Sequence, residues 1–343
     1  MSRFIITIFV FLSFGFGAAF AQTYDDGINA FRAKDYDKAV EIWTLLAKNG
    51  DIQSQYDMGV MSQRGIGVAK NLEQAAAYYK MAADQGHAVA QNNLGRLYMD
   101  GLGVAKDQKE GMRLYRLSAE QGNMHAQYNI ARAYAIGSDY VEVDIEKAKK
   151  WFLLSAEQGY SPARYSLGSI YFNSKNYPES FTYFNLAAYQ GHASAQFKIG
   201  SMYEKGQGVE QDNALAFEWY QDAAKRGNAQ AQFNVASIYK KAEIGVAQDY
   251  EKALFWYQKA SIQGAVMAQN SLAIMYVKGE GVSQNNIRAY MWFSLAAKKG
   301  SKNASNSLKI VAKSMSAKDI ATADTLAQAC FNSKYKECGQ DSL

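Results

Sequence analysis

The chain has 343 residues, 48% of them hydrophobic and 20% charged, a composition that belongs to folded globular proteins and not to disordered ones. Its 2 prolines favour helices without breaks, and 3 histidines with 2 cysteines are too few for a zinc framework, a multi-haem protein or a disulfide-stapled fold. Lys+Arg exceed Asp+Glu by 37 to 32, but from Gln22 to Ala297 28 basic residues cancel 28 acidic ones, and the surplus lies after Ala297, where 8 lysines face 4 acids. Without a concentrated basic stripe, no nucleic-acid partner is expected.

At the N-terminus, Met1-Ser2-Arg3 precedes an apolar run from Phe4 to Ala21 that carries no acid and closes on Ala19-Phe20-Ala21. A short basic start, an apolar middle and small closing residues form the layout of a secretory signal, with cleavage expected before Gln22. A retained anchor is the alternative, since the run is about long enough to cross a bilayer. No cysteine follows the run, which excludes a lipoprotein anchor there. The expected mature chain is exported, periplasmic or secreted, with no stable membrane insertion after cleavage.

Beyond Gln22 a repeat governs the sequence. A glycine closes the same phrase at Gly50, Gly86, Gly122, Gly159, Gly191, Gly227, Gly264 and Gly300, at intervals of 36, 36, 37, 32, 36, 37 and 36 residues. Before the first full unit, 22–50 reads as one capping hairpin, with Ala30, Phe31, Tyr36, Ala39 and Trp43 as its marks. The units that follow span 51–86, 87–122, 123–159, 160–191, 192–227, 228–264 and 265–300. In each, a first helix with an apolar stripe opens on a phrase such as Ala90-Gln91 with Leu94, Leu97 and Tyr98. A paired-glycine loop follows, as in Gly65-Ile66-Gly67-Val68, Gly101–Val104, Gly206–Val209 and Gly279–Val282. A second helix, such as Ala216–Ala224 or Ala289–Ala297, then runs to the closing glycine.

Packing explains the residue choice. Small residues at Gly95, Ala131, Gly168, Gly200, Ala236 and Ala273 let one helix backbone approach its neighbour, and Tyr79, Tyr115, Phe152, Phe184, Tyr220, Tyr257 and Phe293 fill the remaining space. One hairpin cannot bury its own apolar face, so its neighbours must complete the core. Two units depart from the pattern. Gly137-Ser138-Asp139-Tyr140-Val141 distorts the third loop, and Asn173–Pro178 shortens the fourth. After Gly300, two amphipathic helices over 304–315 and 317–331 are expected to cap the stack, within a C-terminal region of 301–343.

The words A-x-A-Q-x-x-L-G-x-x-Y, G-x-G-V and A-x-x-W/Y-Y-x-x-A-A-x-x-G resemble the Sel-one-like repeat, a branch of the tetratricopeptide-like superfamily. The resemblance implies an all-α, right-handed α-solenoid of stacked antiparallel helix hairpins, with the 22–50 hairpin similar to a tetratricopeptide unit. It further implies a scaffold with no catalytic residues and no cofactor, expected to be monomeric, that binds a protein or peptide in a concave groove. Envelope processes, peptidoglycan-related processes or host interaction are the expected settings.

Superposition of the units on tetratricopeptide hairpins turns one slot of the first helix toward that groove: Tyr56, Asn92, Tyr128, Tyr165, Phe197, Phe233 and Asn270. Four residues on stand Val60, Arg96, Arg132, Ser169, Ser201, Ser237 and Ile274, and later turns add Lys205, Lys240 and Lys241. The binding-site candidates drawn from this face are Tyr128, Arg132, Tyr165, Phe197, Lys205, Phe233 and Lys240. Rings supply contact area and cations supply hydrogen bonds, a combination suited to a protein surface. The alternative is that the rings pack against the next repeat.

Other motifs carry less. The paired glycines join two helices and lack the third glycine of a phosphate loop, so they read as turns. His87 and His192 hold equivalent positions on separate repeats and His125 lies two positions further along its unit, so no metal site is expected. Ser237–Lys240 and Ser333–Lys336 match S-x-x-K, but the partner motifs of a serine acyl-enzyme are missing. Cys330 and Cys338 are expected to form a disulfide in an exported chain, two unpaired thiols being the alternative. Two other functions stay open. One is an envelope enzyme that interacts with or hydrolyses β-lactams, as cysteine-rich members of the family imply. The other is a cell-wall glycan binder.

Overall fold

The structure is a computed structural model that describes residues 22–138, 140–335 and 338. The expected signal at 1–21 lies outside them. Two compact units divide the chain, Met1–Ala126 and Gln127–Leu343. The first holds α1 (Tyr24–Arg32), α2 (Tyr36–Lys48), α3 (Ile52–Arg64), α4 (Leu72–Asp84), α5 (Ala88–Asp100) and α6 (Gln108–Glu120). The division falls within α7 (Met124–Ile136). The second holds α8 (Ile145–Glu157), α9 (Ser161–Asn173), α10 (Tyr177–Tyr189), α11 (Ala193–Lys205), α12 (Asn213–Lys225), α13 (Ala229–Lys241), α14 (Tyr250–Ser261), α15 (Val266–Lys278), α16 (Asn286–Lys298), α17 (Lys302–Ala312) and α18 (Ala317–Asn332). Among the described residues there are no strands, only an isolated bridge between Ser138 and Val141 inside the distorted third loop.

Within each unit, consecutive helices pack in pairs, and each pair packs on the next. The fold is thus a series of stacked helix hairpins. Helix starts are set by short polar side chains. Asp51, Asn71, Asp107, Asp144, Asp212, Asp249 and Asn285 each accept the backbone N–H three residues on, which satisfies a donor that the helix leaves unpaired. The expected C-terminal helices are present with one shift: α17 ends at Ala312, and Lys313 caps it.

The small-residue positions explain how closely the helices of one hairpin approach. A Cβ added to Gly168 would come within 2.5 Å of the Phe184 ring, and one on Gly200 within 2.8 Å of the Tyr220 ring. Phe184 and Tyr220 are buried almost completely, as is Tyr79 over Gly59. Tyr79 and Tyr220 keep their hydroxyls satisfied by donating to Gln63 and Glu204, each at 2.8 Å. Burial pushes the Tyr79 phenol up to about 12.

A buried polar ladder ties hairpin to hairpin. The glutamine of the Ala-Gln word in each first helix donates to a carbonyl near the end of the preceding second helix: Gln55 to Ala47, Gln91 to Ala83, Gln196 to Ala188, Gln232 to Ala224 and Gln269 to Ser261. Its own oxygen accepts from the glutamine before the closing glycine, at 2.8 Å for Gln85 to Gln55, Gln121 to Gln91, Gln158 to Gln127 and Gln263 to Gln232. Buried amides with both ends satisfied hold the register between neighbours, because a slip would strand them. In the fourth unit Arg164 takes the glutamine's place and donates to Ala156 O.

Candidate functional site

The candidate face is built from the first helices, whose capping residues also anchor it. His87 and His192 open α5 and α11, and the Nδ1 of each accepts a backbone N–H, from Ala90 at 3.1 Å and Ala195 at 3.2 Å. That bond fixes the neutral tautomer and occupies the nitrogen nearest the helix. Burial pushes both imidazoles below their ordinary range. The two histidines cap different helices, and among the described residues no cluster of three metal-ligating side chains occurs.

Each capping ring meets a slot residue of the preceding first helix. Tyr56 lies 4.8 Å from His87, Tyr165 lies 4.6 Å from His192, and Tyr128 lies 5.1 Å from Tyr160, measured between ring centroids. The same rings also touch the second helix of their own hairpin: Tyr128 on Phe152 at 5.6 Å and Tyr165 on Phe184 at 5.5 Å. Phe197 and Phe233 sit 5.5 and 5.7 Å from Tyr220 and Tyr257. All five slot rings are half-buried. They therefore carry packing between and within hairpins while leaving an edge at the surface.

The cations at this face differ in their freedom. Arg132 is exposed and lies over the Tyr128 ring, 5.9 Å from its centroid. Lys205 is exposed at the last turn of α11. Lys240 is committed inside the chain: its Nζ is 2.8 Å from Glu280 Oε2, with only 20% and 18% of the two side chains exposed. The same pairing occupies the lysine of Ser237–Lys240, so the ammonium that an acyl-enzyme would need beside its serine is held by a carboxylate. Glu280 sits between the paired glycines of its loop, a position that the sequence pattern leaves variable. No periodic signal announced its partner.

Other polar contacts lie at the N-terminal end. The Tyr24 hydroxyl donates to Asp57 Oδ2 at 2.6 Å, which joins α1 to α3. Burial raises the Asp57 carboxyl above its ordinary range, and the same burial, with Asp57 as neighbour, raises the Tyr24 phenol. At the other end Cys330 and Cys338 are joined by a disulfide, next to Tyr335, whose ring carries Lys299 Nζ at 4.6 Å.

Hairpins stacked by recurrent small-on-large contacts, capped at each start and joined by a glutamine ladder, define a helical-repeat scaffold. The chain belongs to the Sel1 repeat family, which matches residues 18–51, 52–87, 88–123, 125–160, 161–192, 193–228, 229–264 and 266–301. Thus 18–51 matches a repeat as well, at the place read from sequence as a tetratricopeptide-like cap. A Sel1 repeat protein from Oxalobacter formigenes is 28% identical and superposes with a TM-score of 0.68, over 84% of this chain and 88% of that one. A protective antigen present in uropathogenic Escherichia coli strains, displaying an SLR fold, is 24% identical with a TM-score of 0.55, over 93% and 95%. The second likeness speaks for the fold alone. No curated protein matches the chain. Sel1 repeat proteins are generally non-catalytic scaffolds compatible with protein–protein interaction.

Proposed function

We propose that this protein is an exported scaffold that holds another protein, or an extended peptide, along the face of its first helices. One observation carries the reading. Packing positions keep their chemistry from repeat to repeat, whereas the position four residues after the slot changes through Val60, Arg96, Arg132, Ser169, Ser201, Ser237 and Ile274 while staying half-buried or exposed. A scaffold that is uniform inside and varied along one surface row is suited to recognising one irregular partner. Edges of Tyr128, Tyr165, Phe197 and Phe233 would supply contact area, with Arg132 and Lys205 as hydrogen-bond donors.

Two features support export to the cell envelope or beyond: the signal-like pattern of residues 1–21 and the Cys330–Cys338 bond, which suits an oxidising compartment. Among the described residues no helix is long and apolar enough to cross a membrane.

The test is photo-crosslinking in the producing cell, with a photoreactive amino acid at Arg132, at Lys205, or at exposed Leu154 on α8. The reading expects one discrete protein adduct from the first two positions and none from the third. Adducts from Leu154 alone, or from no position, refute it. Edman sequencing of the exported chain should start at Gln22. Hydrolysis of nitrocefin by the purified protein would overturn the non-catalytic assignment.

A further inference from the structure

The paired-glycine loops do more than turn the chain. In four repeats the second glycine lies on the first residue of the preceding hairpin's second helix. A Cβ on Gly67 would come within 3.1 Å of Tyr36 O, on Gly208 within 2.5 Å of Tyr177 O, and on Gly281 within 2.6 Å of Tyr250 O, while one on Gly103 would overlap the Leu72 carbonyl. The valine that follows each glycine then joins the preceding hairpin's core: Val68 beside Trp43, Val104 beside Tyr79, Val209 beside Phe184 and Val282 beside Tyr257. Each loop is a plug for the hairpin before it.

Where the plug is missing, the position opens. Ile145 begins α8, the next loop is the short Ser174-Lys175-Asn176, and Ile145 stays 41% exposed. The same happens at the last repeat. Asn286 begins α16, but the hairpin that follows joins its helices through Lys313-Ser314-Met315-Ser316, with neither glycine nor valine. In place of a plug there is a cleft of about 380 Å³, lined mainly by Val277, Lys278, Asn286, Phe293, Ile310 and Ser314. Ile310 points its side chain to this cleft and is 68% exposed.

The chain itself shows what fits. One repeat earlier the plug is Glu280-Gly281-Val282: its valine enters the core, its glycine meets Tyr250, and its glutamate pairs with Lys240 at 2.8 Å. The open cleft repeats those features, with an apolar floor, Lys278 in its wall, and Lys309 and Lys313 exposed on the neighbouring segment. No acid lines it. A second copy offers no equivalent plug at its N-terminal hairpin, where α1 and α2 are joined by Ala33-Lys34-Asp35.

We propose that this cleft receives a loop of a partner protein that presents a branched apolar side chain two residues after an acidic one, across a small residue. The proposal deepens the scaffold reading by giving the last repeat a partner chemistry, and it does not depend on the slot rings or Arg132.

The probe is a synthetic peptide copying Lys278–Gln284, titrated into the full mature chain with isotope-labelled isoleucine and valine methyls. Saturable shifts are expected at Val277, Ile310 and Val311, with a dissociation constant of about 1 mM for so short a linear segment. A peptide with Val282→Ala should bind at least about fivefold more weakly, and one with Glu280→Lys should lose a comparable factor. In the protein, Ser314→Trp should fill the cleft and remove the shifts while the melting temperature is unchanged; Ile310→Glu is a second variant at an exposed position. Absence of saturable shifts, or equal binding by all three peptides, overturns the proposal. Concentration-dependent shifts of the same methyls without peptide would assign the cleft to a second copy instead and overturn it equally. Peptide binding that survives Arg132→Glu, in a chain that no longer yields a crosslinked partner, separates this cleft from the first-helix row.

Discussion

Tyr165 stacks on His192, the residue that opens the next repeat, with ring centroids 4.6 Å apart and planes only 16° from parallel. The histidine is pinned from the other side by the hydrogen bond it accepts from Ala195 N. One half-buried ring therefore couples a helix cap to the surface of the preceding hairpin. Replacing Tyr165 with alanine should cost about 2 kcal/mol, since the ring also covers Phe184 at 5.5 Å. Tyr165→Phe keeps the stack and should cost under about 0.5 kcal/mol. Urea unfolding followed by far-ultraviolet circular dichroism measures both. An unchanged midpoint for the alanine variant would show that the ring serves binding alone.

The two capping histidines give the fold a pH dependence whose sign is fixed by the cap. Burial holds His87 and His192 below the ordinary 6.5 of an imidazole, so on acidification the unfolded chain takes up protons first. Their contribution is complete above 6.5 and is lost as the pH falls below that value toward the depressed folded-state values, where Nδ1 can no longer accept. Asp57, raised by burial above its ordinary 3.8, works in the opposite direction at lower pH. Stability should therefore fall between about pH 7.5 and about pH 5. The double variant His87→Asn and His192→Asn should flatten the slope, because Asn228 caps α13 in the same way, accepting from Ala231 N at 2.8 Å. Melting temperatures across that interval decide it; equal slopes in the two proteins would remove the histidines as the cause.

Much of this fold was legible in the sequence because repetition amplifies weak signals. A single small residue such as Gly168 means little, but its return at Gly200 alongside Phe184 and Tyr220 specifies a close helix approach. The Ala-Gln word was visible as a pattern, yet its job was not, because a buried amide ladder depends on which carbonyl the neighbouring hairpin presents. The Lys240–Glu280 pair was hidden for another reason: both residues sit at positions that vary between repeats, so periodicity says nothing about them. The slot rings were placed correctly on the first helix, but only coordinates reveal that Tyr56, Tyr128 and Tyr165 also touch the cap of the following repeat.

Repeat six shows a local conflict that substitution should relieve. Its first helix ends on Ala242 at φ 58°, the left-handed position that Gly65, Gly101, Gly206 and Gly279 hold in other repeats. An alanine there carries a steric cost of about 1 kcal/mol from its Cβ. Ala242→Gly should recover most of it, raising stability by about 0.5–1 kcal/mol, because the entropy that glycine gives to the unfolded chain offsets part of the gain. Urea midpoints of the two proteins test this, and a destabilised glycine variant would contradict the strain argument.

A second conflict lies inside the glutamine ladder. Gln196 is 4% exposed and donates to Ala188 O, yet its oxygen is buried without a partner. In four other units that oxygen accepts from the glutamine preceding the closing glycine, whereas here Arg226 holds that position and its guanidinium lies over Gly191 instead. The last repeat repeats the exchange: Lys299 replaces glutamine, bonds Gly264 O at 2.9 Å, and leaves the oxygen of Gln269 unpaired. An unsatisfied buried acceptor costs about 1–3 kcal/mol, more than an exposed arginine returns through surface contacts. Arg226→Gln should therefore stabilise the protein by about 1 kcal/mol and slow amide exchange at the α10–α11 junction. Lys299→Gln should gain less, since it gives up both the Gly264 bond and the contact with Tyr335. Hydrogen-exchange mass spectrometry with urea unfolding reads both effects, and a destabilised Arg226→Gln would mean that the buried oxygen finds its partner in water.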